Sequence, residues 1–104
     1  MTSEKKAWDA LQREIGEWSD HTFPNSTPET MLRHLKKEVK ELWDSDEKGM
    51  PHEAADCIML ILHLAHRKGF SARDAIREKF EICKKRKWGK PDRHGVIQHL
   101  KEKP

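Results

Sequence analysis

Residues 27–69 read TPETMLRHLKKEVKELWDSDEKGMPHEAADCIMLILHLAHRKG, and local signals alone mark out two helices in them. Thr27 offers a side-chain cap, Pro28 fits the first helical position and Glu29 puts an acid in the first turn. The helix so opened is expected to run to about Asp46, with Leu32, Leu35, Val39 and Leu42 as its apolar seam. Gly49-Met50-Pro51 breaks it and starts another. From Ala54 to Ala65 only Asp56 and His63 interrupt an apolar run. A helix apolar on nearly every side is expected to be surrounded, at the centre of a bundle or at a subunit interface. Arg67-Lys68-Gly69 closes it with basic residues at the negative end of the dipole and a glycine stop.

The flanks extend the same pattern. Upstream, Trp8, Leu11, Ile15 and Trp18 recur at helical spacing over roughly residues 4–19, and a polar link with Phe23-Pro24 in its middle follows. Downstream, Ser71-x-x-Asp74 is a capping-box variant that opens a fourth helix to about Lys87, with Ala72, Ile76, Phe80 and Cys83 on one face. After Trp88 come Gly89, Pro91 and Gly95, then a short fifth helix is expected around residues 96–101. No stretch alternates with period two over a strand's length, so the expected fold is all-α, a bundle of four to five helices. The 104 residues leave room for one domain, 1–104.

Composition sets the outer limits. Charged residues make up 38%, well above the roughly 25% of an average soluble protein. Yet 21 basic and 18 acidic residues nearly cancel, to a net +3, and the apolar residues cluster, so a folded domain is expected. No run approaches the ~18 apolar residues of a membrane span, and the N-terminal MTSEKKAW lacks an apolar signal core. Cys57 and Cys83 are isolated, which excludes a disulfide framework and fits a reduced, cytoplasmic setting.

The acids carry the chemistry. Glu38 and Glu41 are three apart on the second helix, and Glu53 and Asp56 repeat that spacing on the third, so each pair points to one side of its helix. The short link between them makes an antiparallel hairpin the expected arrangement, with the two pairs facing one another. Four converging carboxylates repel, and a hard, oxygen-seeking divalent cation such as Mg²⁺ or Mn²⁺ relieves that repulsion. Solvated helix surface is the plainer account of an ExxE pair in so charged a chain. It does not explain Asp56, flanked by Ala54, Ala55, Cys57 and Ile58, where an unpaired carboxylate is expensive. On the fourth helix Lys79 and Arg86 lie two turns apart on one ridge. They fit phosphate oxygens, and they equally fit a solvated basic helix end.

The ExxE and ExxD pairs resemble the signature of the MazG-like all-α nucleoside triphosphate pyrophosphohydrolases. The segments EWSDHTF (17–23), HLKKEVKEL (34–42), HEAADCIMLILHLAHRKGFS (52–71) and KFEICKKRKWGKPDRHGVIQH (79–99) resemble its dATP/dGTP diphosphohydrolase, MazZ-like, branch over roughly residues 15–100. The chain departs from that pattern in having Lys37 directly before the first Glu, a short gap between the acidic pairs, and Cys83 where relatives commonly carry Asn.

The resemblance implies Mg²⁺-dependent hydrolysis of dATP and dGTP between the α- and β-phosphates, with Mn²⁺ as a substitute metal. Glu38, Glu41, Glu53 and Asp56 would hold the metal, Glu38 and Glu41 would serve catalysis, and Lys79 and Arg86 would meet the phosphates. Trp18, Asp20, Phe23, His34, Trp88 and His94 are the candidates for nucleoside contact. For Trp18 core packing ranks ahead of stacking on a base, and for His34 a surface position ranks equally. His63 and His66 read as core or interface residues. The partners implied are a deoxynucleoside triphosphate and further copies of the chain, a tetramer ahead of a dimer, with no membrane and no stable nucleic-acid complex. The setting is a bacterial cytoplasm, or that of a host if a phage encodes the chain. The rivals are the same chemistry on pyrimidine nucleotides, and a non-enzymatic interaction or nucleic-acid-binding module. The latter leaves the acidic quartet unexplained.

Overall fold

The computed structural model describes residues 2–101. Four helices follow in order: α1 (Ser3–Thr22), α2 (Pro28–Asp44), α3 (Met50–Lys68) and α4 (Ala72–Lys85). The chain forms two compact units, residues 1–74 and 75–104.

In the first unit the punctuation acts as local chemistry requires. The Thr27 side chain accepts from the Thr30 amide while Thr30 Oγ1 accepts from the Thr27 amide, at 3.2 and 2.9 Å, which closes a capping box ahead of Pro28. Gly69 ends α3 at φ 80°, in the left-handed region where a β-carbon is penalised, and its amide bonds to Ala65 O. Ser71 caps only one way. Its hydroxyl accepts from the Asp74 amide at 3.2 Å, but the Asp74 carboxylate turns to Lys5 Nζ, 2.7 Å away, rather than back to the cap.

α3 packs against both α1 and α2. The core holds Leu62, Ala65 and Ala72, with Ile15 partly buried against them. Met31 and Cys57 are also buried. Gln12 spends both ends of its amide on the start of α4, donating to Phe70 O and accepting from the Ala72 amide, each at 2.8 Å. At Gly16 a β-carbon would lie 2.2 Å from His66 Cγ, so the close approach of α1 to α3 requires glycine there.

Three expectations are corrected here. On α1 the buried line is Gln12, Gly16 and Ser19, while Trp8, Leu11 and Trp18 of the expected seam are exposed. The fit of Gly16 to His66 rotates α1 away from its most apolar face. On α2 Met31 is buried, whereas Leu32 and Val39 are exposed. α3 does not take the central place in a bundle that was one of its two expected settings, because Ile58, Met59 and Ile61 stay exposed, and Asp56 is exposed with them. The other setting, a subunit interface, is not touched by this.

In the second unit the fifth helix expected at 96–101 is not formed. Residues 87–100 instead fold back on themselves. Trp88 and His99 make an antiparallel bridge, Gly89 donates to Gln98 O at 2.9 Å, and Leu100 donates to Lys87 O at 2.8 Å. Asp92 Oδ1 accepts the His94 and Val96 amides at 2.8 and 3.0 Å, a side-chain turn. The Val96 carbonyl accepts from the Asp92 amide at 2.9 Å and the Leu100 amide goes to Lys87 O, so the bond that would open a helix over 96–101 is not made. Gly95 supplies the positive φ, 81°.

Candidate functional site

Glu38 comes from α2, and Glu53 and Asp56 from the first two turns of α3. One carboxylate oxygen from each lies within 4.8 Å of the others. Glu38 Oε2 and Glu53 Oε2 are both buried with no hydrogen-bond partner, although buried polar atoms in proteins are nearly always bonded. The other Glu38 oxygen lies 3.1 Å from His34 Nε2. Contact with the Glu41 carboxylate, then burial, holds Glu38 above the usual carboxylate range, the charge of Asp56 adds to this, and His34 opposes it. Glu41 therefore adjoins Glu38, but it is exposed and stands outside the tight group of three.

Buried carboxylate oxygens with no donor facing them are costly as anions, and a bound cation relieves that cost. Oxygen-only donors suit Mg²⁺ or Mn²⁺ and give no preference for zinc or copper. The residues present thus fit a divalent metal.

A cavity of about 200 Å³ opens beside this cluster. Glu38, Asp56 and His34 belong to its lining, as do Trp18, Phe23, Met59, Leu60 and His63. Trp18 and Phe23 stand edge to face, 5.7 Å between ring centres. Trp18 is 54% exposed, so the core packing expected of it is not found. An acidic rim next to apolar and aromatic walls is suited to a ligand with a charged end and a flat ring.

Asp20 does not line the cavity. Its carboxylate accepts from His63 Nε2 at 2.8 Å and from Arg67 Nε and Nη2 at 3.1 and 2.8 Å, and Arg67 foremost, with His63, holds it below its ordinary range. His63 is 2% exposed, a core residue as expected, and a cavity-lining one as well. Met59, Leu60 and His63 escaped the sequence reading of the site. They follow Asp56 by three, four and seven residues along one ridge of α3, a spacing visible in the sequence.

Lys79, Arg86, Trp88 and His94 belong to the second unit. Lys79 is exposed. Arg86 Nη1 lies 3.4 Å from His99 Nδ1, the Trp88 indole donates to Cys83 O at 3.0 Å, and His94 accepts from Arg93 Nε at 3.1 Å.

The sequence profile of the dATP/dGTP pyrophosphohydrolase family matches residues 11–104. A dATP/dGTP diphosphohydrolase of Cyanophage S-2L is 36% identical over 90 residues, covering 86% of this chain and 85% of that one. A dATP/dGTP diphosphohydrolase of Salmonella phage PMBT28 is 33% identical over 90 residues, which make up only 30% of its length. Among solved structures, the Cyanophage S-2L MazG-like pyrophosphohydrolase, bound to dGDP and three catalytic Mn²⁺ ions per active site, matches with a TM-score of 0.77 and 33% identity. That match covers 89% of this chain and 96% of the other.

Proposed function

The chain belongs to the dATP/dGTP pyrophosphohydrolase family, and from that premise we propose that it hydrolyses dATP and dGTP between the α- and β-phosphates, releasing a monophosphate and pyrophosphate. The observation that carries the proposal is the pair of orphaned oxygens of Glu38 and Glu53, grouped with Asp56 beside an aromatic-walled cavity.

Glu38, Glu41, Glu53 and Asp56 would hold Mg²⁺, with Mn²⁺ able to replace it. When bound, the metal supplies neutralisation of triphosphate charge and a more acidic water. Glu38 and Glu41 orient the attacking water and take its proton. Trp18 and Phe23, with Met59 and Leu60, give the base an apolar slot, and His34 stands where that slot meets the acids. Lys79 and Arg86 as phosphate contacts, and Trp88 and His94 as nucleoside contacts, rest on the resemblance of their segment to the family. Asp20, committed to Arg67 and His63, makes no direct contact in this proposal.

Residues 1–104 act in it as one domain, and the family match runs through both units. The working form is a homo-oligomer, a tetramer ahead of a dimer. Its support is the apolar exterior, where Trp8, Leu11, Ile58 and Ile61 are exposed and Trp43 is 84% exposed. No helix among the described residues is long and apolar enough to cross a membrane. Four acids at the site oppose a polyanion, so no stable nucleic-acid complex is proposed, and the substrate is met in the cytoplasm.

Product analysis with each deoxynucleoside triphosphate, with and without Mg²⁺, tests this on the wild type and Glu41→Gln. Metal-dependent release of pyrophosphate with dAMP or dGMP, lost in the variant, is the expected result. Cleavage of dCTP alone would overturn the purine assignment, and no turnover by folded protein would overturn the reaction.

A further inference from the structure

An aspartate in the last turn of α1 is in the wrong place for the helix dipole, whose C-terminal end favours a cation. Asp20 sits there and gathers one guanidinium and two imidazoles. Arg67 meets it through Nε and Nη2, His63 through Nε2 at 2.8 Å, and His66 Nε2 lies 3.5 Å from the other oxygen. A carboxylate only accepts, so the proton of the His63–Asp20 bond sits on His63 Nε2. The remaining arm of Arg67, Nη1, donates to the Ser26 carbonyl at 2.5 Å.

One guanidinium therefore ties the end of α1, the body of α3 and the far side of the α1–α2 link. Phe23 lies between the two tied points. Its amide bonds to Ser19 O at 2.8 Å and its carbonyl accepts from Ser26 at 3.1 Å. Its ring packs edge-on against Trp18, and both rings line the cavity, as does His63. Asp20 and Arg67 line none of it, yet three of its wall residues are set by what they hold.

We propose that Asp20 and Arg67 are a positioning pair for nucleoside recognition, fixing the Phe23–Ser26 link and His63 so that the cavity keeps the shape of a purine slot. The pair acts on how tightly the nucleoside end is held and not on the acids of α2 and α3. The inference rests on the proposed function for the identity of the ligand. Lysine at position 67 keeps a charge for Asp20 but lacks the planar fork that reaches Asp20 and Ser26 together.

The test is Arg67→Lys beside Asp20→Asn, read in two ways. Steady-state kinetics should show KM for dATP and dGTP raised about tenfold, the effect of one lost charge-assisted hydrogen bond, with kcat within about twofold. Calorimetric titration of dGDP in the presence of Mn²⁺ should show the same weakening without turnover. Pyrophosphate release by the wild type decides the proposed function separately. Unchanged dGDP affinity in the variants, a fall in kcat with KM constant, or no dGDP binding by the wild type would each overturn the positioning role. Should Asp20→Asn not fold, Arg67→Lys, which retains the ion pair, decides alone.

Discussion

Glu38 and Glu53 each hold one buried oxygen that no donor reaches, and a cation that binds only the folded state converts this conflict into stability. At a metal concentration about 100 times Kd the gain is about 2.7 kcal/mol. Mg²⁺ should therefore raise the Tm and EDTA should reverse the rise. Glu53→Gln should raise the metal-free Tm by removing one of the crowded charges, abolish most of the Mg²⁺ response, and cut turnover by roughly 100-fold, the scale of losing one transition-state stabilising group. Differential scanning fluorimetry with and without EDTA, beside a pyrophosphate assay, checks all three.

Asp20 gives a pH signature of its own. Arg67 and His63 depress its folded pKa below the unfolded value near 3.8, so its contribution is complete above that value and is lost as pH falls through the depressed one. Asp20→Asn should lower the Tm near neutrality and narrow the gap to wild type as acid is added, seen in Tm followed downward from pH 7.

At the scale of the element, what was legible in the sequence is what neighbours along the chain decide. Thr27, Pro28 and Gly69 mark helix ends because caps are local bonds. Glu38, Glu53 and Asp56 were legible as a group because three-residue spacing puts each acidic pair on one side of its helix, while Glu41 stands outside that group. The buried face of α1 was not legible, because Gly16 is selected by the His66 ring across the packing and not by any periodicity. Nor was the loss of the fifth helix, since the Val96 carbonyl and the Leu100 amide, which a helix there would pair, bond instead to Asp92 and Lys87. Gly16→Ala should push α1 from α3 and destabilise by roughly 1–3 kcal/mol, as overpacking does. Denaturant unfolding measures it. An intact midpoint would mean that His66 can move aside.

For the whole molecule the question is where the apolar surface goes. A core built chiefly of Met31, Cys57, Leu62, Ala65 and Ala72 is small for a chain of 104 residues. In the proposed oligomer the large side chains left outside, Trp43 above all, would be covered by further copies of the chain. Light scattering should return about four times the mass of one chain, and Trp43→Glu or Ile61→Glu should reduce it. A wild-type monomer at micromolar concentration would defeat the oligomer.

The orphaned oxygens also bear on how much of this protein a cell keeps. Degradation by proteases tracks the fraction of chains that are open at any moment, and a cation bound at α2 and α3 lowers that fraction. Magnesium supply would then govern abundance as well as rate, so that a starved cell loses the protein before it loses the activity of each copy. Limited proteolysis, slowed by Mg²⁺ in the wild type and indifferent to it in Glu53→Gln, would make that dependence visible.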